Sequence, residues 1–118
     1  MTKVAIKRVY EPAESSDGYR VLVDRLWPRD LRKEEVKYDV WAKGLAPSTP
    51  LRKWFHEDPD GRWDEFAARY RRELEESPEV KDFLAGAEGK SRITLVYGAK
   101  SPMHNHALIL QEYLEKKL

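Results

Sequence analysis

The segment Asp24-Arg25-Leu26-Trp27-Pro28-Arg29 sets one carboxylate, two guanidinium groups and an indole directly after the apolar run Val21-Leu22-Val23. The chemistry open to such a set is anion capture. A guanidinium fork matches the paired oxygens of a carboxylate or phosphate, Trp27 offers a face for stacking, and Pro28 stiffens the turn. Asp24 can act as a general base or orient an arginine. The plainer alternative is an ion pair of Asp24 with Arg25 or Arg29 that seals the strand end, and the orienting role is the preferred one.

A second set follows the run Ile93-Thr94-Leu95-Val96-Tyr97. Gly98-Ala99-Lys100 leads into Ser101-Pro102, which reads as a helix start, and then into His104, Asn105 and His106. A helix amino terminus carries unpaired N–H groups and partial positive charge, so it accepts anions and keeps a nearby imidazole neutral. His104 is the second candidate base, with Tyr97 and Asn105 as orienting groups. His106 shares a helical face with Met103, Ala107, Leu110 and Tyr113 and reads as a core-edge histidine. Two histidines at i and i+2 do not face each other on a helix, and no His-x-x-x-His or carboxylate spacing completes a ligand set, so neither a metal nor a cofactor is expected. Arg52 and Lys53, beside the Trp54-Phe55 stripe, read as solvated cations, and His56-Glu57-Asp58 as an acid-rich helix start.

These groups need elements to hold them, and a chain of 118 residues is the size of one domain. Lys3 to Tyr10 and Tyr19 to Asp24 read as strands, with a polar loop and an Asp17-Gly18 turn between them, and Val36 to Ala42 as a third. Thr49-Pro50, Asp58-Pro59, Ser77-Pro78 and Ser101-Pro102 each pair a capping side chain with a proline suited to a first helical turn. Apolar stripes follow at helical spacing: Leu51, Trp54, Phe55; then Trp63, Phe66, Ala67, Tyr70, Leu74; then Val80, Phe83, Leu84, Ala87. The fold expected is a single α/β domain spanning 1–118, with a small, mostly parallel sheet flanked by helices and a cleft at the strand carboxyl ends, where ligands of open α/β sheets bind.

Composition narrows the function classes. With no cysteine, disulfides, thiolate nucleophiles and thiolate-bound metals are excluded. Met1-Thr2-Lys3-Val4 reaches a charge before an apolar signal core can form, and no stretch approaches the ~20 apolar residues of a membrane span, so a cytoplasmic protein without membrane contact is expected. Lys and Arg total 22 against 21 Asp and Glu, which leaves no global field for nucleic acid. The dense mixed charge, with single Asn105 and Gln111, matches thermophile composition.

The segments Tyr19 to Arg29, Leu45-Ala46-Pro47-Ser48 with Leu51-Arg52-Lys53-Trp54-Phe55, and Thr94-Leu95-Val96-Tyr97 with Asn105-His106-Ala107 resemble the YeaO-like family, domain of unknown function 488, over nearly the whole chain. The resemblance implies no activity. Two departures stand out: the family has glycine where this chain has Asp30, and a histidine where it has Glu57, with His56 one place earlier. The expected function is binding of a small phosphate- or carboxylate-bearing ligand by Arg25, Trp27, Arg29, Tyr97 and Asn105, extending to hydrolysis or group transfer if Asp24 or His104 acts as base. Two alternatives remain open. One is a single-strand nucleic-acid module using Arg29, Arg32 and Lys33 beside an exposed Trp27; the other is a non-catalytic interaction or regulatory protein.

Overall fold

The computed structural model describes residues 2–100 and 104–118. Its sheet has four strands, β1 (Lys3–Arg8), β2 (Tyr19–Leu22), β3 (Val40–Trp41) and β4 (Arg92–Tyr97), in the order β1-β4-β2-β3. Every pairing is parallel, not merely most of them. β4 is central because Ile93 to Tyr97 are buried on both faces, the pattern of a fully covered parallel strand. Each such fully buried Leu, Ile or Val contributes about 1.5–3 kcal/mol. β3 is much shorter than Val36 to Ala42, since Lys37 and Tyr38 cross to the strand without pairing.

The two faces of the sheet are covered by different materials. Val4, Val21, Val23, Ile93, Leu95 and Tyr97 join a core built from all four helices: α1 (Thr49–His56), α2 (Pro59–Glu76), α3 (Pro78–Ala87) and α4 (His106–Lys117). On the opposite face Leu22 and Val96 pack with Val9 and Val36 beneath Trp27, Leu31, Tyr38 and Trp41. That side is roofed by the irregular 24–39 segment, with a second, polar patch where Lys7, Asp17, Arg20 and Thr94 meet.

Helix starts follow local chemistry. Asp58 and Ser77 accept from Gly61 N and Val80 N ahead of their prolines, and Ser48, one place before Thr49, accepts from Leu51 N. The last helix begins later than expected: Asn105 caps it by accepting from Leu108 N at 3.1 Å, so His104 and Asn105 lie outside the helix. The expected cap, Ser101, and its Pro102 lie outside the described residues. None of the helices among the described residues is long and apolar enough to cross a membrane.

Candidate functional site

β2 and β4 are neighbours, with Leu22 opposite Val96, so the residues that leave their carboxyl ends meet although they are far apart in the chain. Asp24 is fixed at this junction: its Oδ2 accepts from Gly98 N at 2.8 Å, and its carbonyl accepts from the Trp41 indole at 2.7 Å. Gly98 is required by this contact, since a Cβ there would lie 2.9 Å from Asp24 Oδ2. Above the junction lies a cleft of about 510 Å³. Asp24, Arg25, Trp27, Arg29, His104 and Asn105 all line it, joined by Arg52, His56, Lys100 and His106.

His106, at the first position of α4, stands beside the Asp24 carboxylate. Its Nε2 lies 3.0 Å from Val23 O and 3.6 Å from Asp24 Oδ1. A carbonyl can only accept, so Nε2 carries the proton and donates to Val23. Burial pushes the His106 pKa down, opposed by the Asp24 charge. Burial likewise pushes Asp24 up, against the opposing effects of His106, Gly98 N–H and Arg52. Each group is therefore held toward its uncharged form by the same desolvation. The expected guanidinium partner of Asp24 is absent among the described residues, so its orienting role gives way to this histidine.

Arg25 instead braces a loop. Its Nε donates to Pro47 O at 3.2 Å and a terminal nitrogen to Ala46 O at 3.3 Å. The Tyr70 hydroxyl donates to Leu45 O, and Glu73 accepts from Ser48 N and Oγ at 2.9 and 2.6 Å. Leu45-Ala46-Pro47-Ser48 is thereby pinned from two sides, which fixes the start of α1 and brings Arg52, on its first turn, into the cleft. The sequence reading passed over Arg52 as a solvated cation because helical position alone does not say what stands across from it.

Trp27 lines the cleft but is half-buried rather than exposed. Its indole donates to Leu31 O at 2.7 Å and its ring meets Trp41 edge-on at 5.3 Å, so much of its surface is already used. Asn105 is buried and spends its side-chain oxygen on the α4 cap. His104 stacks on Trp63 at 4.9 Å, with Nδ1 2.8 Å from Asp60 Oδ1. Tyr97 is not part of the cleft. It continues the alternation of Ile93 and Leu95 into the helical core and is 5% exposed, and burial raises its phenol pKa. Asp30 has φ 62°, a left-handed conformation that glycine adopts without strain, which accounts for glycine being the family residue at this point.

Fold and site together define a small parallel α/β protein with a polar cleft at its strand carboxyl ends. Residues 3–118 match the family described as the inactive DUF488-N3 subclade, and the chain belongs to that family. It is similar to YeaO, an uncharacterized protein of Escherichia coli, at 45% identity over 94% of this chain and 96% of that one. An uncharacterized protein of Mycobacterium tuberculosis is 42% identical over 96% of this chain and 94% of its own length. No solved structure matches.

Proposed function

We propose that the cleft binds a small ligand bearing a phosphate or carboxylate, and that the protein works by binding rather than by turnover. One observation carries this reading: Arg29 and Arg52 approach the cleft from two different segments, and neither has an ion-pair partner among the described residues. Guanidinium groups converging on one cavity are the receptor for such an anion. Lys100 adds charge at the rim, whereas Arg25 acts by holding the loop that delivers Arg52. Asp24 and His104, the candidate bases, have structural partners in Gly98 and Trp63, and a binding role agrees with the description of the family as inactive.

Calorimetric titration with inorganic phosphate tests the reading. Arg29→Ala and Arg52→Ala should each weaken binding about tenfold, the loss of one charge-assisted hydrogen bond, while Lys33→Ala, on the exposed 3-10 turn, should leave it unchanged. No measurable binding at millimolar phosphate, or equal affinity in wild type and both arginine variants, would overturn it.

A further inference from the structure

The cleft is polarised in hydrogen-bonding character, and that polarity constrains the other end of the ligand. At the rim stand donors, the guanidinium groups of Arg29 and Arg52. Deeper in, the donors around Asp24 are committed to protein oxygens: Gly98 N–H to Asp24 Oδ2, the Trp41 indole to Asp24 O, His106 Nε2 to Val23 O and the Tyr70 hydroxyl to Leu45 O. Among the described residues, two acceptors are left over. No hydrogen-bond donor reaches Asp24 Oδ1 from the described residues, His106 Nε2 standing at 3.6 Å, beyond hydrogen-bond range. With Nε2 protonated, neutral His106 carries a lone pair on Nδ1. Their side chains are 19% and 15% exposed and both line the cleft.

Resting on the anion reading above, we infer that the ligand is a hydroxylated phosphate ester, a polyol or sugar phosphate class of molecule, whose anion meets Arg29 and Arg52 and whose hydroxyl groups donate to Asp24 Oδ1 and His106 Nδ1. A ligand that covers these acceptors without bringing a donor strips them of water, and an acceptor desolvated without a donor costs free energy. A phosphate carrying an alkyl chain in place of hydroxyls does the same and is rejected, as sites built to bind a hydroxyl reject analogues that lack it. Asp24 is thus a specificity residue, and Gly98, which fixes the other carboxylate oxygen, positions it.

Glycerol 3-phosphate and propyl phosphate form the decisive pair, since they share charge and chain length and differ in two hydroxyl groups. By calorimetry on the intact protein, glycerol 3-phosphate should bind at least tenfold more tightly. Asp24→Asn, which keeps an oxygen for Gly98 N–H but turns the other acceptor into a donor, should bring that ratio close to one, whatever it does to each affinity. His106→Gln, which retains a donor for Val23 O and removes the ring Nδ1, should reduce the ratio independently and serves if Asp24→Asn does not fold. Equal binding of the two esters by wild type overturns this inference while leaving anion binding intact. A ratio that survives both substitutions overturns the assignment of these acceptors. Failure of both esters and of inorganic phosphate overturns the anion reading and this inference with it.

Discussion

Asp17 and Asp24 are both largely buried carboxylates, each beside β2, yet their environments push them in opposite directions. Burial raises the pKa of each. At Asp17 the effect is overcome by Glu14 N–H, Lys7 and Arg20, and its carboxyl is held below the ordinary range. At Asp24 His106, the Gly98 N–H and Arg52 do not suffice against burial, and the carboxyl is held above it. The first cluster is closed, with its charges spent on one another and on holding the loop between β1 and β2 through Pro12 O and Glu14. The second retains unspent hydrogen-bonding capacity in a cleft. A buried acid with complete partners maintains architecture; one with incomplete partners is available to a ligand.

The largest test of this contrast is Asp17→Asn. It leaves the buried Arg20 guanidinium without its carboxylate and should cost about 3–5 kcal/mol, the penalty for breaking a buried pair, read from the denaturant midpoint. A loss below 1 kcal/mol would erase the distinction between the two clusters. Gly98→Ala comes next. Its Cβ would sit 2.9 Å from Asp24 Oδ2 and near Pro28, so about 1–3 kcal/mol of overpacking is expected, together with weaker discrimination between the two phosphate esters.

The smallest change is the most informative. Asp24→Asn should shift stability by no more than about 1 kcal/mol, in the stabilising direction at neutral pH, because the fold disfavours the ionised carboxyl that the substitution removes. The pH dependences have opposite signs. Asp17, with its folded pKa below the unfolded one, contributes stability above the unfolded carboxylate value of about 3.9, lost as pH falls through the folded value. Asp24, with its folded pKa raised, contributes favourably in acid and loses that contribution as pH rises through the folded value. At neutral pH the two variants should therefore depart from wild type in opposite directions, and in acid both should converge on it. Thermal melts from pH 3 to 7 check this, and departures of the same sign would contradict it.

Local rules were enough to place much of this molecule. Apolar runs mark β1, β2 and β4, the Asp58-Pro59 and Ser77-Pro78 pairs start α2 and α3, and Asp24 to Arg29 stand at a strand end beside a cavity. Periodicity and capping act within one or two turns, so the amino-acid order alone determines them. Contacts across the fold do not work at that range. Asp24 reaches Gly98 only because β4 lies between β1 and β2. Arg52 enters the cleft because Arg25, Tyr70 and Glu73 pin the loop before it, and His106 rather than an arginine stands beside Asp24 because Asn105, not an earlier residue, caps α4. Tyr97 turns away from the cleft because strand alternation is set by the face that the helices cover. A charge's neighbours are decided by strand order and loop anchoring, and these are settled only when the whole core closes.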